Sequence, residues 1–189
     1  MTVKTTTKVF GIDEIKLYPI SQDSHDGYVL ADGIELPGAK SLEVTFQIDE
    51  KNLSGNEMIL DVYSKVKKLN FSAGFAKLGL EVLQASLGGF LHKNTTSSGF
   101  SLQNNKNTPY FQLVAKVSGT DEGALFLHLM KCKVNAIPIK AQESDFATFS
   151  LSGSGIYTTQ KFTRNETIAE LLMDIVITPD TQEIAPIIE

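Results

Sequence analysis

The sequence has one cysteine, Cys132, no tryptophan and only three histidines. A single thiol excludes an intrachain disulfide framework, so the fold must rest on burial and hydrogen bonding, which suits a reducing compartment. Cys132 lies in an apolar run, where a small buried hydrophobe is the expected role. His25, His92 and His128 are scattered, and no pair has the spacing that lets two imidazoles hold one metal from a helix face. Asp23, His25 and Asp26 fall in a polar loop and read as a solvated turn. There is no Walker glycine loop, nucleophile elbow or Cys-x-x-Cys pair, and Gly153 with Gly155 is too little for a phosphate cradle. No apolar run approaches the length of a membrane span, and the first ten residues, MTVKTTTKVF, lack the apolar core of a secretory signal. Basic residues are outnumbered, 17 Lys and Arg against 22 Asp and Glu, which argues against a sequence-independent duplex DNA binder. The expectation is a non-enzyme with no cofactor, no metal and no membrane insertion.

At 189 residues, 42% hydrophobic and 21% charged, the chain can bury a core of its own, and it reads as one domain over 1–189. Residues 1–8 form a polar N-terminal arm and 179–189 an extended C-terminal tail. Between them the signals are those of strands. Leu42, Val44, Phe46 and Ile48 alternate with Ser41, Glu43, Thr45, Gln47 and Asp49, giving a dry and a wet face, with a loop over 50–56. The segment 58–75 is β-rich but poorly segregated, and Lys65, Lys67 and Lys68 give it the look of a charged edge. Residues 124–134 are apolar on both faces, with Leu125, Leu127 and Leu129 on one and Phe126, Met130, Cys132 and Val134 on the other. Such a strand must be covered twice, by a helix and a second layer or by a neighbouring subunit. The run Ser152-Gly153-Ser154-Gly155 invites a bulge in a strand over 147–157.

One helix stands out. Ala76, Leu80, Leu83 and Leu87 recur at helical spacing, and Gly88-Gly89 supplies a stop. After it, residues 92–108 are polar apart from Phe100 and Leu102, and the spacing predicts a hairpin arm whose two apolar residues meet another molecule. Residues 171–178 read as a terminal strand. The isoleucines 184, 187 and 188 beyond it want a partner surface.

The runs ELPGAKSLEVTF at 35–46, EMILDVYSKVKKLNFSAGFAKLGLEVLQASLGG at 57–89, GALFLHLMKCKVNAIP at 123–138 and FATFSLSGSGIY at 146–157 together resemble the major tail tube proteins of long-tailed bacteriophages. The resemblance implies a mainly β fold, two packed antiparallel sheets with a flanking helix and a long loop or hairpin arm. It implies stacked hexameric rings that form a conduit for DNA ejection, in a virion tail assembled in the bacterial cytoplasm. The implied partners are the subunit itself, a tape-measure protein, tail-tip or baseplate and terminator proteins, and DNA in passage. On this reading Glu43, Asp49, Glu143 and Asp145 line the lumen, while Lys65, Lys67, Lys68, Phe100, Leu102, Leu125, Leu127, Leu129, Ile187 and Ile188 contact other subunits. Two rival readings are a tube protein of a contractile injection machine and a monomeric β-sandwich binding or decoration module. Without tryptophan and with five tyrosines, the chain is poor in the aromatic platforms a carbohydrate-binding module would use.

Overall fold

The computed structural model describes residues 9–55, 58–103, 107–119, 123–140, 148–164, 166–179 and 185–187. Strand makes up 70% of the chain against one short helix, so the mainly β class with antiparallel sheets is what is found. The N-terminal arm and the acidic pair Glu143 and Asp145 lie outside the described residues, as do Ile184 and Ile188.

Most strands share one curled, half-barrel sheet of ten members. Its main path runs β2 (Gly27–Leu30), β1 (Val9–Ser24), β8 (Phe111–Gly119), β9 (Gly123–Ala136), β11 (Thr148–Ile156), β5 (Met58–Phe75) and β4 (Ala39–Gly55). Short strands β3 (Ile34–Glu35) and β10 (Ile139–Lys140) flank β1 and β11, and β14 (Met173–Pro179) pairs with β9. Two hairpins stand apart: β6 (Phe90–Lys93) with β7 (Ser98–Ser101), and β12 (Lys161–Arg164) with β13 (Thr167–Glu170).

Along β9, β8 occupies one side from Ala124 to Cys132. The other side is shared, with β14 opposite Gly123–Leu129 and β11 opposite Lys131–Ala136. Both run antiparallel to β9, so they form one track interrupted by residues 157–172, which carry the β12–β13 hairpin. A register shift lies between Phe111↔Cys132 and Leu113↔Leu129, and it exchanges the faces of β9. Leu129 before it and Cys132 and Val134 after it all enter the main core, with Ile15, Leu17, Leu69, Phe71, Phe75 and Leu113. Phe126 and Met130 enter two smaller clusters, with Tyr18 and Val114 and with Tyr28 and Phe162 respectively. The double burial expected of residues 124–134 is therefore met within the chain, so Leu129, fully buried, is a core residue rather than a subunit contact. Leu127 packs partly buried against the same core, and Leu125 is half-buried.

No residue is inserted in the Ser-Gly run, which pairs with β5 without a shift; the irregularity opposite Ser152 and Gly153 lies on β9, where Asn135 is the extra residue. Glycine is required there because a Cβ on Gly153 would sit 2.3 Å from the Lys133 carbonyl oxygen and 2.7 Å from the Phe71 ring.

The helix α1 is Leu80–Leu87, one turn shorter than the periodicity predicts. The amides of Ala76 and Lys77 donate instead to the carbonyls of Gly38 and Pro37 (2.9 and 3.2 Å), which ties that turn to the loop before β4. The buried face is also rotated from the expected leucine stripe, to Val82, Leu83, Ala85 and Ser86. Ser86 tolerates burial because its hydroxyl donates to the Val82 carbonyl at 2.5 Å. Val82 joins the main core, while Gly88, at φ 77°, ends the helix as expected.

Candidate functional site

The expected loop over 50–56 is instead strand to Gly55, and β4 pairs with β5 from Ala39↔Phe75 to Gly55↔Met58. Only the near part of this ribbon belongs to the body. β11 pairs with β5 from Phe75↔Phe149 to Leu69↔Gly155, and past Leu69 no further strand flanks the ribbon among the described residues. The free part, Met58 to Lys68 with its β4 partners, would reach roughly 35 Å at the rise of an extended strand.

The dry face of β4 runs out along this ribbon. Leu42 and Val44 pack against the core, but Phe46 and Ile48, next in the alternation, are 45% and 53% exposed. Farther out, Val62, opposite Asn52, continues that face at 51% exposure, while Leu53 and Tyr63, each 62% exposed, lie on the other face with Asp49 and Lys51. A two-stranded ribbon is marginal in water and gains little from such residues unless something covers them. The free part of the ribbon has two register irregularities, one where Gln47↔Lys68 is followed by Ile48↔Val66, leaving Lys67 without a cross-strand partner. Lys67 turns to Asp49 at 3.2 Å, an exposed pair of little energetic weight. At its base the Tyr157 hydroxyl donates to the Val66 carbonyl at 3.3 Å.

Among the described residues β4 is the end strand of the sheet and pairs only with β5, so its outer edge has the arrangement that templates addition of another strand.

On the opposite face of the ribbon lie Glu43, Thr45, Gln47 and Asp49, with Lys65, Lys68, Asn70 and Ser72 across from them on β5. The face continues onto β11 through Ser152 and Ser154, with Ser72 and Ser152 hydroxyls 3.2 Å apart and the Asn135 amide donating to Ser154 at 2.8 Å. It is a surface of small hydroxyl and amide side chains. Glu43 and Asp49 thus share one face, as alternation requires, but three lysines lie beside them, so the charge there is mixed rather than acidic.

No protein-family model matches the chain, and no curated protein matches it. A solved structure does. The chain is similar to the tube-terminating cap of an anti-feeding prophage, seen by cryo-EM, at 8% sequence identity and a TM-score of 0.40, with 95% of each chain covered.

The arm expected at 92–108 is a short hairpin, β6–β7, closed by Asn94, whose side-chain oxygen accepts from the amides of Thr96 and Ser97 (3.0 and 2.7 Å). Phe100 is half-buried there and packs beside Gly89, whereas Leu102 is 62% exposed. The long projecting element is the β4–β5 ribbon, which brings Lys65, Lys67 and Lys68 together with the exposed apolar residues.

Two clusters depart from expectation, the first because Asp23, read as part of a solvated turn, is a strand residue with its side chain only 5% exposed. Asp23 at the end of β1 accepts from Lys131 Nζ at 2.6 Å and from the amides of Thr159 and Gln160 at 2.9 Å each. Burial opposes its charged form most strongly, yet these bonds together hold its carboxyl below the usual value. Lys131 and Lys133 each lie 5.1 Å from the centre of the Tyr110 ring. The second cluster is the seat of Ile187. The buried Gln112 side chain donates to the Ile187 carbonyl (3.5 Å) and accepts from its amide (3.2 Å), so this isoleucine, expected at a subunit contact, packs against its own chain. His128 beside it is buried, but its Nδ1 has no hydrogen-bond partner among the described residues, and burial pushes its pKa down to about 4.

Proposed function

We propose that the chain is a structural subunit of a phage-type tail tube, which assembles with copies of itself into stacked hexameric rings that form a conduit for DNA ejection. The observation that carries this reading is the β4–β5 ribbon, which extends a core-type apolar face, Phe46, Ile48 and Val62, into solvent where no described residue covers it and a neighbouring molecule would. The outer edge of β4, which pairs only with β5 among the described residues, supplies a place where a neighbouring sheet adds on. The tail resemblance of the sequence adds hexameric closure, a virion location, and contacts with tape-measure, terminator and tip or baseplate proteins. The chain has a scaffolding role rather than a catalytic one.

On this reading the hydroxyl and amide face of β4, β5 and β11 lines the lumen, with Glu43 at its centre. Small hydrated side chains exchange their hydrogen bonds with water, and mixed charges leave no continuous track of cations to hold phosphates. Negative-stain microscopy of the purified protein tests the assembly. Rings or tubes with sixfold symmetry are expected, and a strictly monomeric species at high concentration would overturn it.

A further inference from the structure

The seat of residues 185–187 has the features of a site that reads an extended peptide. Gln112 has no exposed surface, and its carboxamide faces the backbone of Ile187 in both senses, donor to carbonyl and acceptor from amide, as a strand neighbour would. Its nitrogen also lies 3.3 Å from Met130 Sδ, so the side chain is held in place from below. The Ile187 side chain packs against Tyr28, Met130 and Phe162, and the Tyr28 hydroxyl donates to the Met130 carbonyl at 2.5 Å. Backbone is read by Gln112 and a branched apolar side chain by the cluster beside it, which is how strand-type peptide sites divide affinity from selectivity.

The chain's own segment fills this seat incompletely. A cavity of about 190 Å³ remains between Ala185, Pro186 and Ile187 on one side and Phe126, His128, Val176 and Thr178 on the other. His128, 4% exposed, lines it with its Nδ1 unpartnered. The wall formed by Val176 and Thr178 belongs to β14.

We propose that this groove is an acceptor site for an extended segment in trans, and that its ligand in the assembled protein is residues 185–187 of a second copy of this chain. The second copy is the occupant because the groove already fits this sequence, and exchange of identical segments preserves every contact made in it. The inference rests on the assembly reading and deepens it by naming the segment that links subunits.

Two single-cysteine additions test it, with Cys132 fully buried and out of reach of reagent. Ala185→Cys and Val176→Cys chains are mixed under conditions of assembly and treated with a short bismaleimide. A double variant carrying both cysteines in one chain reports whether the pair is within reach. Exchange predicts a cross-linked heterodimer in the mixture, reduced about tenfold when Gln112→Leu is added to the Val176→Cys chain. Sedimentation of the same samples separates the two ideas. Assembled particles without heterodimer, while the double variant closes its internal link, overturn the exchange and leave assembly standing. Heterodimer without larger particles upholds the exchange and overturns the rings. Neither product overturns both.

Discussion

Lys131 reaches Asp23 across the sheet at 2.6 Å, with side chains only 14% and 5% exposed, and that contact joins the end of β1 to β9 and to the segment that follows β11. Removal of one partner leaves the other charge buried. Asp23→Asn is expected to cost about 3 kcal/mol, because it also weakens the bonds from the Thr159 and Gln160 amides. A lower urea midpoint at unchanged slope is the expected readout, and a wild-type midpoint would show the pair to be dispensable.

Gly153→Ala is expected to destabilise by about 2 kcal/mol. Its added methyl meets the Lys133 carbonyl at 2.3 Å, and a backbone atom in a paired strand yields less readily than a side chain. Gly155→Ala meets the flexible end of Leu69 at 2.8 Å and should cost less, so thermal melts that place the two in the reverse order would contradict this packing.

His128 predicts a pH window. Its pKa in the fold, about 4, lies below the ordinary 6.5 chiefly through burial, with Arg164 lowering it and Asp174 opposing. Below pH 6.5 the unfolded chain takes up a proton that the folded chain refuses, so stability falls as pH drops towards 4 and then levels, by at most about 3 kcal/mol. Asp23, whose pKa is lowered, loses its contribution only below its ordinary 3.8, outside this window. In His128→Phe the slope between pH 6.5 and 4 should flatten, and denaturant titrations across that range would reveal a slope that persists.

Leu53→Glu with Tyr63→Ser separates assembly from folding. Both side chains are 62% exposed, so stability should change by no more than about 0.5 kcal/mol, while rings and tubes should be lost. Normal assembly of this double variant, seen by electron microscopy, would show that the outer part of the ribbon is not a contact.

For the lumen, Glu43→Lys should slow DNA ejection more than Asp49→Lys does, since Asp49 already lies beside Lys67 at 3.2 Å. Ejection followed by dye uptake, with tubes intact, checks it. An unchanged rate for Glu43→Lys would remove this face from the wall.

Local pattern made much of the fold legible. The alternation at Leu42 and Val44, the doubly apolar run at 124–134 and the existence of one helix all appear, because burial imposes a period on neighbouring residues. The limits of that signal are equally local. Residues 50–54 read as loop because their strand is held by cross-strand hydrogen bonds in water rather than by a buried face, so no apolar period marks it. The shorter helix follows from bonds to Gly38 and Pro37, made by residues far away in the chain.

The sequence by itself determined that this is a β-rich chain with apolar surface in excess of what its alternating strands should leave exposed. Only the tertiary structure decided where that excess lies. Leu129 turns out to be interior, Ile187 sits in a groove beside Gln112, and Phe46, Ile48, Leu53 and Tyr63 stand exposed on a two-stranded ribbon. Strand pairing and cross-sheet contacts join residues that share no local period, so their outcome is written in the folded chain and not in any window of its sequence.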